Sequence, residues 1–269
     1  MDIQWSLVLF TALTGLGGMM FFFICLNVFL RKTDKGQFIG SIMSLVLLAA
    51  GGIASVTHLS HPDRMLNALQ HPTSGIFTEA VLVGLLAVCA LVFALMIKRE
   101  IDGGALKAVA AIGMVLGILM AFMAGQSYIM GAIPAWDTEL LPLGYLGTAV
   151  ALGAAAYLAL IAWQKADEAA CKFYAVVLAV TGAISLATTL AYGIASGACT
   201  GDVAPIYLVG AVALGGIAPA VCGYLAIKKP ANALMLAGTG TACAFVGAIA
   251  YRCAMWLVGA TLYGFFGLV

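Results

Sequence analysis

Four ionisable residues stand apart from the charged clusters of this 269-residue sequence: His58, Arg64, Glu79 and Arg252. An imidazole and a carboxylate can exchange protons near neutral pH, and a guanidinium binds electron-rich oxygens. Glu79 and Arg252 lie within apolar stretches, where an ionisable side chain is costly and usually serves a function. We therefore expect these residues to contribute to one polar site.

The composition shows what kind of protein must position these residues. The sequence is 64% hydrophobic and 9% charged, with a mean hydropathy of +1.12, which excludes an ordinary soluble domain and indicates an integral membrane protein. Twelve basic and eleven acidic residues leave a formal charge of +1. A balance this even supplies no basic surface for nucleic acid, so we expect no nucleic-acid partner.

Apolar stretches long enough to cross a bilayer recur through the sequence. They cover about 6–30, 38–57, 76–97, 108–130, 142–163, 173–196, 205–227 and 234–257 or beyond. The sequence thus predicts an all-α, polytopic membrane protein: a bundle of eight transmembrane helices forming a single domain over residues 1–269. Pro219 falls within the seventh stretch, where a helix loses a hydrogen bond and should bend.

The basic residues predict the orientation of this bundle. Ten of the twelve occupy alternate breaks, and such loops usually face the cytoplasm. Both termini are therefore expected outside the cytoplasm. The N-terminal sequence MDIQWSLVLF has no basic region before its apolar run, so we interpret it as the start of a retained helix.

Helix geometry predicts the depth of the polar residues. At about 1.5 Å per residue, His58 reaches the outer edge of the hydrocarbon and Glu79 lies one turn inside it. Arg252 lies roughly 27 Å up the last helix, and Gln126 and Tyr128 lie near the outer end of the fourth. These positions predict a polar pocket open to the outer half of the bilayer. An alternative stays open, in which Arg252 and Glu79 form one structural ion pair and His58 caps its helix.

Metal and haem chemistry is not favoured by the sequence. His58, His61 and His71 share one outer break, whereas haem ligation in a bundle needs histidines at matched depth on separate helices. The seven cysteines form no CxxC pair, and zinc held by the three histidines alone is not favoured either. We expect no haem, metal or iron–sulfur cluster in this protein.

Residues 58–79 carry a family resemblance. Their sequence, HLSHPDRMLNALQHPTSGIFTE, resembles the signature loop of the membrane anchor subunits of dimethyl sulfoxide reductases, which reads approximately HLGxPxR, then an Asn, then SWLSRE. The residues that match in type and spacing are His58, Leu59, Pro62, Arg64, Asn67, Ser74 and Glu79. The sequence departs from the pattern at Ser60, Gly75 and Thr78, where the family has Gly, Trp and Arg. Arg252 stands where the family carries an arginine in its last helix.

The resemblance implies a three-part oxidoreductase of the cytoplasmic (inner) membrane. In such a complex this protein would anchor an iron–sulfur subunit and a molybdopterin catalytic subunit on the outer face, and would oxidise membrane quinol, with menaquinol favoured. His58 and Glu79 would accept the quinol protons. The other residues expected around the quinol are Arg64, Gln126, Tyr128 and Arg252.

Two other functions remain open from the sequence. A transporter or channel would use the polar pocket as a substrate or proton path, although transporter sites usually lie at the membrane midplane. A purely structural anchor would bind no ligand at all.

The last apolar stretch is longer than a bilayer requires. Residues 234–269 number 36 and would extend roughly 54 Å as a helix, against a hydrocarbon core of about 30 Å. We expect the surplus beyond Arg252 to leave the bilayer and pack against the iron–sulfur partner. A bend that lays it in the outer leaflet is the alternative, since Trp256 and Tyr263 suit that interface.

Overall fold

The computed structural model describes residues 2–57 and 74–259. His58, His61, Arg64 and His71 lie outside these ranges, as does the tail from residue 260 onward. Within the described ranges the protein is entirely helical, with eight spans long and apolar enough to cross a membrane. The predicted all-α, eight-span fold is confirmed.

All the spans but one are α-helices throughout; the exception is span 7 in chain order, which has two parts. The α-helices are α1 Trp5–Leu30, α2 Gln37–Val56, α3 Gly75–Lys98, α4 Gly104–Gln126, α5 Leu140–Trp163, α6 Glu168–Ser196 and α8 Ala233–Val258. The seventh span begins as a π-helix, Ile206–Ile217, and continues as α7, Ala218–Lys228. Short 3₁₀ turns, Gly201–Val203 and Pro230–Asn232, precede the last two spans.

The change of winding in the seventh span occurs next to Pro219. In an α-helix the N–H of residue 219 would bond to the carbonyl of Gly215, but proline has no N–H. The hydroxyl of Ser185 on α6 donates to that carbonyl at 2.9 Å. A carbonyl close to the proline is therefore satisfied by the neighbouring helix.

Three helix boundaries differ from the sequence prediction by four or five residues: both ends of α4, which begins at Gly104, and the start of α6. α4 ends at Gln126, because the apolar residues that follow it form turns over the bundle. α6 begins at Glu168, about one turn earlier than predicted, inside a charged segment that the sequence marks as a break. Asp167 caps it: its Oδ1 accepts from the backbone N–H of Ala170 at 2.7 Å.

The helices pack as two four-membered rings joined side by side. In the first ring α1 contacts α2 and α4, and α3 closes the circle; in the second α5 contacts α6 and α8, and α7 closes it. α1 also packs on α5, and these two are the most buried spans. Gly153 on α5 permits this approach, since a Cβ there would lie 2.6 Å from the Met19 carbonyl carbon.

Successive helices run antiparallel, so the bundle has two distinct ends. The basic end carries the connections at residues 31–36, 99–103, 164–167 and 229–232. The opposite end, called the aromatic end below, holds the start of α1 and the end of α8. The start of α3 and the end of α4 lie there too, which places Glu79 and Tyr128 near this end.

Candidate functional site

Glu79 is a buried carboxyl group with an unused hydrogen-bonding position. It lies in the second turn of α3, whose N-terminus is capped by Ser74, with Oγ accepting from the Phe77 N–H at 3.1 Å. The side chain is 9% exposed, and its Oε1 has no hydrogen-bond partner in the described part of the protein. A buried polar atom left without a partner is costly and often marks a functional site.

The end of α4 lies directly against this part of α3. A Cβ at Gly75 would approach the Cβ and Oγ of Ser127 to 2.9 Å, so only glycine permits the observed contact. Glu79 follows Gly75 by one turn on the same face of α3, and its carboxyl interacts with the Ser127 hydroxyl. The tryptophan that the family pattern has at this position would not fit between the two backbones.

Tyr128 is near both Glu79 and Arg252. Burial raises the pKa of its phenol, the nearby Tyr145 and Glu79 raise it further, and the positive charge of Arg252 opposes them. The Tyr128 and Tyr145 rings are stacked, with centroids 6.0 Å apart and an interplanar angle of 26°. The Tyr145 ring thus links Tyr128 to Arg252, and Glu79 lies within electrostatic range of Tyr128; all three residues were predicted from the sequence.

Arg252 is 1% exposed and faces the interior, where it joins three helices. Its Nε donates to Thr11 Oγ1 at 2.8 Å and its Nη2 to the Thr11 carbonyl at 3.2 Å. Its Nη1 donates to the Ala248 carbonyl at 2.9 Å and to Thr148 Oγ1 at 3.5 Å. The guanidinium carbon lies 4.4 Å from the centroid of the Tyr145 ring, a cation–π contact.

No carboxylate of the described residues forms an ion pair with Arg252. The ion pair found among these residues joins Lys172 and Glu168, at the basic end. The structural ion pair between Arg252 and Glu79 considered above is therefore absent. Hydroxyls, carbonyls and an aromatic face surround the guanidinium instead. With no anion of the described residues beside it, its charge acts on the space next to Tyr145 and Tyr128.

Seven aromatic rings form one connected cluster at the aromatic end, with centroids of neighbouring rings 5.0 to 6.5 Å apart. This aromatic cluster consists of Tyr128, Trp136, Tyr145, Tyr192, Tyr207, Tyr251 and Trp256. Sequence reasoning assigned only Tyr128 of these to the site. The available signal was the recurrence of Tyr and Trp near the same ends of five successive spans.

The segment 127–139 folds over this end of the bundle. Ile133 and Trp136 are buried, and the Trp136 Nε1–H donates to the Met255 carbonyl at 2.8 Å. Tyr192 donates to the Ala135 carbonyl at 3.2 Å. The segment is therefore fixed to α6 and α8, and it covers the aromatic cluster.

The remaining predicted residues fall into two groups. Gln126 is half-buried at the last position of α4, two residues before Tyr128. His58 and Arg64 lie outside the described residues, so the structure does not test their assignment. Across residues 2–57 and 74–259 there is no group of three His, Cys, Asp or Glu side chains that could hold a metal ion.

Comparison with known proteins bears on this arrangement. The family model of the DMSO reductase anchor subunit (DmsC) matches residues 1–227. The protein belongs to this family. It is also 29% identical over 172 residues to the C subunit of the anaerobic dimethyl sulfoxide reductase of Haemophilus influenzae, and the match spans 60% of each protein.

Membership of the DmsC family confirms the resemblance carried by residues 58–79, which lie inside the matched range. Together with the eight spans, it identifies a multi-pass membrane protein. Arg252 lies beyond residue 227, so its place in the site rests on the geometry around Thr11, Thr148 and Tyr145.

Proposed function

We propose that this protein is the membrane anchor and quinol-oxidising subunit of a heterotrimeric molybdopterin oxidoreductase similar to dimethyl sulfoxide reductase. In this proposal it lies in the cytoplasmic membrane with both termini outside. An iron–sulfur subunit and a molybdopterin subunit dock on the aromatic end. The family of the protein supports the anchoring role, and the geometry around Glu79 supports the chemistry.

The buried Glu79 oxygen is the observation that carries the proposed chemistry. Oxidation of a quinol to a quinone releases two electrons and two protons, and each proton needs an acceptor within hydrogen-bond reach. The Oε1 of Glu79 is buried and without a partner among the described residues, so it is available to a quinol hydroxyl. His58, at the end of α2 in sequence, is the proposed acceptor of the second proton.

Arg252 and Tyr128 are proposed to hold and orient the quinol. The four donated hydrogen bonds of Arg252 fix the guanidinium behind Tyr145, and its charge favours the electron-rich oxygen of a bound quinol. Tyr128 stacks on Tyr145, within electrostatic range of both Arg252 and Glu79, and is proposed to offer its aromatic face to the quinol. Gln126 and Arg64 are proposed to complete the site, and menaquinol is the expected substrate.

The two electrons must leave through the partner, because we expect no redox centre within this protein. A quinol site near one end of the bundle suits this transfer, since it lies close to a subunit docked on that end. A site at the middle of the membrane would not. This depth also distinguishes the proposal from a transporter, whose site usually lies at the midplane.

The proposal is tested by the substitution Glu79→Gln in the assembled complex. We expect quinol-dependent reduction of the terminal acceptor to fall by about 100-fold or more, because the amide cannot accept the proton. A soluble donor that reduces the catalytic subunit directly should still support the normal rate. His58→Ala is expected to behave in the same way.

Glu139→Gln is the matched control, because it makes the same change at an exposed carboxylate of the same end. It should leave both rates unchanged. Normal quinol-dependent rates in Glu79→Gln and His58→Ala, at equal complex content in membranes, would contradict the proposed chemistry and leave a purely structural anchor.

A further inference from the structure

Ser127 follows the last residue of α4, and both of its donors bond to the preceding turn. Its backbone N–H donates to the Met123 carbonyl at 3.0 Å, and its hydroxyl donates to the same carbonyl at 2.9 Å. The carbonyl would therefore keep one hydrogen bond if the hydroxyl turned away. The hydroxyl is free to change its acceptor at little cost, because no buried group is left unsatisfied.

The second acceptor available to this hydroxyl is the carboxyl of Glu79. The two side chains interact across the α3–α4 contact. The absence of a side chain at Gly75 brings the two helices close enough for this contact.

A carboxyl group that takes and releases a proton needs different partners in its two states. The carboxylate only accepts hydrogen bonds, whereas the acid also has a hydrogen to donate. A hydroxyl can donate to the carboxylate in the first state and accept from the acid in the second. Serine is therefore suited to a buried carboxyl that changes its protonation during turnover.

We propose that Ser127 is a positioning residue for proton transfer to Glu79, an inference that rests on the proposed quinol oxidation. When Glu79 is ionised, the Ser127 hydroxyl donates to its Oε2 and leaves Oε1 to accept from the quinol hydroxyl. The quinol O–H bond then breaks, its proton forms an O–H bond at Oε1, and the electrons pass to the iron–sulfur partner. The Ser127 hydroxyl returns to the Met123 carbonyl as the negative charge is lost.

The test compares Ser127→Ala and Ser127→Thr in the intact complex, with rates normalised to molybdenum content. We expect Ser127→Ala to lower kcat with quinol by about tenfold, the effect of losing a hydrogen bond to a charged group. KM should change by less than about twofold, since the hydroxyl does not touch the quinol. Ser127→Thr restores a hydroxyl and should recover most of the rate.

Ser41→Ala is the matched control. Its hydroxyl also donates to the carbonyl four residues earlier, that of Gln37 at 2.7 Å, but at the basic end. This variant should keep the normal kcat. A larger solvent deuterium isotope effect on kcat in Ser127→Ala than in Ser41→Ala would locate the defect in proton transfer, which a purely structural role would not produce.

Glu79→Gln measured alongside separates the two possible failures. If Glu79→Gln is slow but Ser127→Ala keeps a kcat within about twofold of the unmodified complex, the role of Ser127 is wrong and the proposed function stands. A Thr variant as slow as the Ala variant would also overturn it, because the hydroxyl would then not be the group that matters. If Glu79→Gln itself is normal, the proposed function fails.

Discussion

Each end of the bundle contains a buried polar side chain, but only at the basic end does every polar atom of that side chain have a hydrogen-bond partner. At the basic end Asn27 is 1% exposed and has three partners: it donates to the Thr33 carbonyl at 2.6 Å and accepts from the Lys32 N–H and the Tyr174 hydroxyl. At the aromatic end Glu79 leaves an oxygen without a partner among the described residues.

The two environments indicate different roles. The partners of Asn27 belong to the α1–α2 turn and to α6, so the amide fixes the turn and both of its polar atoms are hydrogen-bonded. The Glu79 carboxyl is held on one side only, and the aromatic cluster and the charge of Arg252 lie nearby. Burial alone therefore does not assign a role to a polar group. Glu79 differs from Asn27 in having an unpartnered oxygen together with the aromatic cluster and a buried cation nearby.

Arg252→Leu is expected to give the largest effect among the tests of this comparison. Replacement of a buried charge by an apolar side chain of similar volume often leaves a fold intact, so the complex should assemble. The lost charge should raise KM for quinol by about tenfold, as the loss of one charge interaction near the site would. Steady-state kinetics in membranes at equal complex content measures this change.

The lysine variant shows whether Arg252 acts only as a structural charge. Arg252→Lys retains the charge but cannot reproduce the spread of donors to Thr11 and Thr148. Loss of assembly in Arg252→Leu, together with full assembly and activity in Arg252→Lys, would mean that the residue is structural. Arg252 would then resemble Asn27 and not Glu79.

Asn27→Ala should lower stability and leave quinol oxidation unaffected. It leaves three buried or partly buried groups without their partner, at a cost of about 1 to 3 kcal/mol. The temperature of half-inactivation should fall, while the rate per assembled complex stays normal. Tyr174→Phe removes one of the three bonds and should have a smaller effect in the same direction. A quinol-specific loss in Asn27→Ala would contradict the division between the two ends.

Ser185→Ala is expected to have the smallest effect. It removes the donor to the Gly215 carbonyl, four residues before Pro219, and should cost about 1 kcal/mol. Ser41→Ala is the appropriate comparison, because the Gln37 carbonyl lies within a regular helix. Equal thermal stability of the two variants would show that the seventh span does not depend on the bond from α6.

The sequence predicted the spans and the costly residues, but not how their side chains meet. Hydropathy is sufficient for eight helices, and the cost of burying charge singled out Glu79 and Arg252. The rotation of each helix about its axis is set by packing, so the aromatic cluster could not be assembled from positions alone. Tyrosine and tryptophan in a span are compatible with a core, a lipid contact or an interface.

Small hydroxyl residues were the least predictable part of the site. Thr11, Thr148 and Ser127 lie in or next to apolar stretches, where such residues usually bond to the preceding turn. Only the contacts between helices reveal that two of them bind a guanidinium and the third faces a carboxyl. The end of α4 was placed too late for a related reason, since SYIM continues the apolar run although the backbone turns there.

The bond between Arg252 and Thr11 imposes an order in time on assembly. The two residues are 241 positions apart, so at roughly 5 to 20 residues per second Arg252 is synthesised about 12 to 48 s after Thr11. During that interval Thr11 has a local acceptor, the Leu7 carbonyl at 2.9 Å, and the first ring is inserted before the last helix exists. The contact between Arg252 on α8 and Thr11 on α1 therefore forms as one of the final events in folding. A nascent protein arrested before α8 lacks the cation that connects the two rings.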